Sequence, residues 1–274
     1  MKNEFHMLGN TPRKSRIIDS EEAIRRINEE LENMPETQDK RIQEQNQSPI
    51  AEPVSFDSSM VSSDYVQIPN QDFVTAIAET DFNFNYEETH KSVLKRGLFV
   101  PTPKKFMTFH NHIIDCYKNR KPIFDASGNP ISNKIKQDLY KQLTSNCWTW
   151  LNGKFNILPN KKTIEYIDGL NANGDLLTRI ENLEDYLMEN CYVDFTKLNK
   201  QGLALPNSNH SNQDYIKGQN IYFYFPVNNC VAWFDADSDG ADLGCVRDAS
   251  SRGPSLGVRA VKQGLSKTRQ GGLK

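Results

Sequence analysis

The chain has 274 residues, with 33 Lys and Arg against 35 Asp and Glu for a formal net charge of −2, and 37% of it is hydrophobic. A balance this close to neutral supplies no bulk field for nucleic acid or an anionic membrane, so neither is expected as a partner. The length suits one domain of ordinary size with sequence to spare, and the longest strongly apolar run, Ile221 to Val227, is of strand length and not of membrane-span length.

Near the N-terminus Glu4, His6, Arg13, Lys14 and Arg16 interrupt any apolar signal region, so the sequence reads as a protein made in the cytoplasm that leaves it only inside a particle. Asp19 to Met34 has helix chemistry. Asp19 caps, Glu22 follows three residues on, Ile24, Ile27 and Leu31 share a face, and Pro35 ends the run. So narrow a stripe needs a partner surface, whether on its own domain, a second copy or another protein. Residues 1–35 are therefore read as an attachment segment, and residues 36–64, rich in Gln, Asn, Glu, Ser and Pro, as a flexible linker. Residues 65–91 form an extended lead-in or a strand pair where Val66, Ile68, Phe73, Val74 and Ile77 restore apolar character, and alternation over Phe82 to Tyr86 predicts a strand.

A compact domain is expected over residues 92–264. Leu94 to Val100 suits a strand, Pro101 to Lys104 suits a helix start, and Phe106, Phe109, Ile113, Ile114 and Tyr117 carry a helical stripe to about Lys118. Asp125 to Pro130 (DASGNP) is turn chemistry, and a second helix is predicted over Ser132 to Leu143 with Ile135, Leu139 and Leu143 inward. Cys147 to Ile157 reads as a strand carrying Trp148 and Trp150. Between Lys161 and Leu205 a strand, a turn and a short helix all remain open. A polar loop from Leu205 to Tyr215 leads to a strand at Asn220 to Phe225, and Asn228-Asn229 turns the chain into Val231 to Phe234. The basic, Gly-rich residues 265–274 read as a frayed tail and not as a nucleic-acid arm. Cys116, Cys147, Cys191, Cys230 and Cys245 show no CxxC spacing, which favours buried reduced thiols over a zinc site.

The chain is organised around residues 231–261, VAWFDADSDGADLGCVRDASSRGPSLGVRAV. From Phe234 to Leu256 there is no Lys, Glu, Gln, Met or Trp, types that make up about a fifth of the chain. Burial does not explain the gap, because the same stretch holds Asp235, Asp237, Asp239, Asp242, Arg247, Asp248 and Arg252. The missing types are those that no pyrimidine-ending codon encodes, which is the residue set left when the first two bases of Asn-type codons are replaced at random.

Four segments carry a resemblance: GLFVPTPKKFMTF (Gly97 to Phe109), NCWTWLNGKF (Asn146 to Phe155), GQNIYFYFP (Gly218 to Pro226), and VAWFDADSDGADLGC followed by SLGVRAV. In this order they resemble the variable proteins of diversity-generating retroelements, found in phages and prophages of Bacteroides-like bacteria. That resemblance covers Ser92 to Lys262. It implies a C-type-lectin-like domain of the α+β class, with two helices, twisted antiparallel strands and long loops, behind a helical or disordered N-terminal segment. It also implies that a reverse transcriptase rewrites adenines in the 3′ end of the gene, that the C-terminal surface binds a receptor, protein or glycan, on a bacterium, and that the N-terminal segment joins virion or tail proteins. By the same resemblance the diversified, ligand-facing set includes Asp235, Asp239, Gly240, Asp242, Gly244, Val246, Arg247, Asp248, Arg252 and Pro254. The scaffold holding them is Trp148, Trp150, Trp233, Phe234, Leu243, Cys245, Leu256 and Gly257, with Ala236, Ser238 and Ala241 as further framework.

Three functions are compatible with the tract. In the first, ligand display, Ala236, Ala241, Leu243, Cys245 and Ala249 anchor a backbone on which other positions vary, and Arg247 and Arg252 offer charge-assisted hydrogen bonds to a polar or carbohydrate ligand. Few changeable positions are aromatic, so one copy would bind weakly and repeated display would matter. In the second, Asp235, Asp237 and Asp239 open a calcium loop of the D-x-D-x-D-G kind, although Val246 stands where such a loop ends on Glu and Asp242 where it packs an apolar residue. The third is catalysis. Lectin-like domains also resemble formylglycine-generating enzymes with paired cysteines, for which Cys230 and Cys245 are candidates, yet His90, His110, His112 and His210 are scattered and His110 and His112, two apart on a helix, do not share a face. Display is the preferred reading, with no enzyme activity, no cofactor and no metal.

Overall fold

In a computed structural model of the protein, the structure describes residues 62–184 and 186–264. The predicted helix at Asp19 to Met34, the linker before residue 62 and the tail 265–274 lie outside the described residues. Among the described residues the fold is α+β, with three α-helices and two sheets.

The helices start where local chemistry says they should. Helix α1 (Tyr86–Lys95) opens on a capping box, in which the Asn85 side chain accepts from the Glu88 N–H and Glu88 accepts from the Asn85 N–H. Helix α2 (Pro103–Lys118) has Thr102 as its cap and Pro103 in its first turn, and helix α3 (Asn133–Ser145) is capped by Ser132. The turn before α3 is built by the Asp125 carboxylate, which accepts from the N–H groups of Ser127 at 2.8 Å and Asn129 at 2.9 Å.

The smaller sheet has four strands, β1 (Tyr65–Gln67), β2 (Phe73–Ala76), β3 (Phe124–Asp125) and β11 (Val261–Gln263), in the order β11-β2-β1-β3. The larger contains β4 (Cys147–Leu158), β5 (Lys161–Leu170), β6 (Leu176–Asn182), β7 (Cys191–Val193), β8 (Ile221–Phe223), β9 (Cys230–Ala236) and β10 (Ala241–Asp248), in the order β6-β5-β4-β9-β10-β8-β7. It is mixed, because β8 runs parallel to β10 while its other pairs are antiparallel.

Alternation along β4 and β9 divides the apolar residues between the two faces of this sheet. On one face Cys147, Leu151, Phe155, Ala232, Phe234 and Ala236 join Phe106, Phe109 and Ile113 of α2 and Leu139 and Leu143 of α3. On the other, Trp150 and Val231 join Tyr86 and Val93 of α1 and the returning Leu256, Val258 and Ala260, with Trp148 and Trp233 at the margin. Between β4 and β5 the buried Asn152 side chain replaces a ladder pair: it donates to the Ile167 carbonyl and accepts from the Ile167 N–H, both at 2.8 Å. Tyr86 fastens α1 there, its hydroxyl accepting from the Gly153 N–H at 3.0 Å.

Four expectations are corrected. The compact unit does not begin at Ser92, because Val66, Phe73 and Val74 are core residues and β2 pairs with β11 from the far end of the chain. Phe82 to Tyr86 is not a strand: Asp81 and Asn83 have φ of 57° and 64°, which break extended backbone before α1 starts. Leu94 to Val100 is not a strand either, since α1 runs to Lys95 and only Phe99 makes a bridge, to Val261. Finally, the architecture has a third helix and a parallel strand pair beyond the expected two helices and antiparallel strands. In the region left open, Asn171 builds a turn and Leu176–Asn182 is the strand β6.

Candidate functional site: an aromatic and acidic sheet face

Strands β9 and β10 form a hairpin whose turn is Asp237 to Gly240. The Asp237 N–H donates to the Gly240 carbonyl at 2.8 Å, and the Asp237 carboxylate accepts from the N–H groups of Asp239 at 2.8 Å and Gly240 at 3.1 Å. Within the hairpin Ala236, Ala241, Leu243 and Cys245 point into the α2/α3 core and are 0 or 1% exposed. The residues between them face the other way. Register then sets two rows across the sheet.

In the first row Trp148 of β4 is opposite Asp235, Asp235 is opposite Asp242, Asp242 is opposite Tyr222 of β8, and Tyr222 is opposite Tyr192 of β7. The second row runs from Trp150 to Trp233 to Gly244, beside Tyr224, whose N–H donates to the Leu243 carbonyl at 3.0 Å. Tyr192, Tyr222 and Tyr224 make successive edge contacts with ring centroids 5.0 and 4.8 Å apart. Trp148, Trp233, Asp235, Asp242, Tyr222 and Tyr224 are all partly exposed. An irregularity between Gly244 and Arg247 bends β10 and returns the Arg247 guanidinium over the Trp233 ring at 4.4 Å and the Trp150 ring at 5.7 Å.

The structure therefore joins Asp235, Asp242 and Arg247 with Trp148, Trp150 and Trp233. Asp239 and Gly240 lie at the hairpin tip. The remaining ligand-facing candidates do not converge there. Val246 is exposed, and Asp248, at the opposite end of β10, turns its carboxylate onto Ser250. Six residue steps along the strand separate Asp242 from Asp248, a span of about 20 Å. Arg252 forms an exposed ion pair with Glu88 of α1 and donates to the Asn83 carbonyl at 3.3 Å. Pro254 is exposed in the same return loop. Gly244 must move from the variable to the fixed set: it is buried, and a Cβ there would fall 1.9 Å from Trp233 Nε1. Of the expected scaffold, Phe234, Leu243, Cys245 and Leu256 are buried, and Gly257 exchanges backbone hydrogen bonds with Trp148 and Trp150, both 3.0 Å. A Cβ at Gly257 would meet the Phe82 ring at 2.7 Å and the Thr80 carbonyl at 2.8 Å.

The tyrosines were missed because only register brings them in. Alternation in IYFYFP was the one sequence signal for Tyr222 and Tyr224. The changeable positions themselves are few in aromatics, but strands β4, β7 and β8 bring rings to the same face from outside the tract. As for calcium, the Asp237 carboxylate is engaged in capping the turn, and no group of three or more His, Cys, Asp or Glu side chains is disposed to hold a metal ion among the described residues. Cys230 and Cys245 carry free thiols pushed above the ordinary range by burial. A cleft over α2, lined by Lys104, Met107, Thr108, Asn111 and Phe195 among others, shares no residue with the hairpin face.

Asp235 has the clearest titration signature on the face. Burial, then the charge of Asp237, raises its pKa from 3.8 to about 6, against a lowering by Arg247. A raised carboxyl pKa means that the folded state holds the proton more tightly, so this residue favours folding below about pH 4 and the benefit fades as pH rises through about 6. Asp235→Asn is accordingly expected to flatten that slope in urea unfolding. Screening at this partly exposed position leaves about 1 kcal/mol, or a Tm gain at pH 7 of about 2–4 °C with none at pH 4.

Comparison with protein-family models, curated proteins and solved structures returns no match.

Proposed function

We propose that the protein is a ligand-binding variable protein with a C-type-lectin-like domain, displaying the β9–β10 hairpin and the loop to Pro254 to a receptor on a bacterial surface. What supports this most directly is the division of the tract by register: Ala236, Ala241, Leu243 and Cys245 are buried in the core while Asp235, Asp239, Asp242 and Arg247 face outward. Outward positions can change with little cost to folding, and inward ones cannot. The composition of residues 234–256 fits adenine-directed rewriting of the outward positions. On this reading the protein acts by binding and not by catalysis, is carried on a virion, and is joined to tail or other virion proteins by the segment before the domain.

Sequencing the 3′ end of the gene from many isolates, with a search downstream for a near-copy and a reverse-transcriptase gene, tests the proposal. Substitutions should fall at adenine positions of that copy, recur at residues 235, 239, 242 and 247, and spare 243 to 245. An invariant tract with no copy nearby would refute diversification and leave the acidic hairpin as a solvated turn.

A further inference from the structure

We infer that the sheet face takes a cationic group, the guanidinium or ammonium of an Arg or Lys side chain on a partner protein, and that Arg247 occupies the same platform from within as an intramolecular competitor. The inference rests on the ligand-display reading and specifies its chemistry.

Rings come first. Trp233 and Trp148 flank Asp235, while Tyr222 and Tyr224 lie beyond Asp242 and Gly244. Aromatic faces attract cations through their quadrupoles, and Arg stacks on them better than Lys. Charge comes second: Asp235, Asp237, Asp239 and Asp242 line the face and its rim, against the single guanidinium of Arg247. Complementarity favours a basic partner over an acidic or neutral one. Neither feature alone would suffice, since Asp residues at a hairpin tip are ordinarily just solvated.

The third observation is independent of both. Arg247 is already seated on this platform, 4.4 Å from the centre of the Trp233 ring, so the face demonstrably accommodates a guanidinium. Its seat is incomplete, because Arg247 Nε and Trp233 Nε1 are both buried and lack a hydrogen-bond partner. Burial of two unpartnered donors opposes this conformation. An incoming cation that takes the ring releases Arg247 to water and recovers the share of that cost carried by Arg247 Nε.

The test is a tryptophan-fluorescence titration of the full chain with an Ac-Arg-Arg-Arg-NH2 peptide, compared with a neutral oligosaccharide such as maltotriose. The native protein should bind the peptide, and Arg247→Met should bind it about threefold to tenfold more tightly by removing the competitor. Asp235→Asn combined with Asp242→Asn should weaken binding by about tenfold or more, and Trp233→Phe should weaken it less than that pair. Near-UV circular dichroism checks that each variant is folded, and Arg247→Gln, which also removes the charge, serves as the replacement if Arg247→Met is not. Unchanged or weaker peptide binding on loss of Arg247 overturns the competitor. Binding of maltotriose without the peptide overturns the cationic class while leaving ligand display standing, whereas an invariant tract across isolates removes the display reading itself.

Discussion

Arg259→Met is expected to lower the unfolding free energy by about 3–5 kcal/mol, the largest effect of any single substitution considered. Arg259 is wholly buried. Its guanidinium donates to the Ala76 carbonyl at 3.1 Å, to the Ile77 carbonyl, and to Gln142 Oε1 at 2.8 Å, while its backbone N–H donates to Thr149 Oγ1 at 3.1 Å. One side chain thus ties the end of β2 and helix α3 to the returning chain, while the backbone beside it holds strand β4. Methionine matches the volume but leaves two carbonyls and an amide oxygen without donors, at about 1–3 kcal/mol each before relaxation. The nearby Glu79 blunts the loss, since burial holds its pKa above the ordinary carboxylate range. Arg259→Lys retains a charge but not the planar fork, and should fall between. Guanidinium chloride unfolding measures both. A loss below about 1 kcal/mol for Met would mean that water satisfies these groups and that the residue is not a tie.

Gly244→Ala is expected to destabilise the protein by about 1–3 kcal/mol and to disrupt the aromatic sheet face at the same time. The new methyl group would lie 1.9 Å from Trp233 Nε1 and 2.6 Å from its Cδ1, so the indole must swing away. Arg247 stacks on that ring and would lose its seat. Denaturant unfolding reads the first effect, and a change in tryptophan emission reads the second. Because the two residues touch, Gly244→Ala combined with Trp233→Ala should cost less than the sum of the single changes. Additive costs would show that the clash is relieved elsewhere and that Gly244 is a tolerant position after all.

Local chemistry made part of this fold legible. Thr102 with Pro103, and Ser132, announce α2 and α3, and the Asp125 turn and the β9–β10 alternation are likewise written in adjacent residues. What could not be read depends on partners far along the chain. Residues 65–76 could be read as a lead-in or a strand pair, and the pair is there as β1 and β2, but their place in the core was hidden because β11, which joins β2, lies nearly two hundred residues later. Tyr222 joins the face only through its parallel register with Asp242. Arg259 resembled any framework charge, because nothing nearby in sequence marks an arginine as buried. Gly244 was misjudged for another reason: a glycine that is merely permitted and one that a facing ring requires are identical in sequence.

The position of Arg259 also bears on inheritance. It lies three residues beyond Leu256, just past the stretch with the altered composition. On the proposed reading the rewriting has to spare codon 259, as it spares those of the buried Leu243 and Cys245 within the stretch, because replacing Arg259 would cost about 3–5 kcal/mol. On that reading the tie would limit a viable library, and a copy without adenine at codon 259 is the mark that selection would leave in the gene.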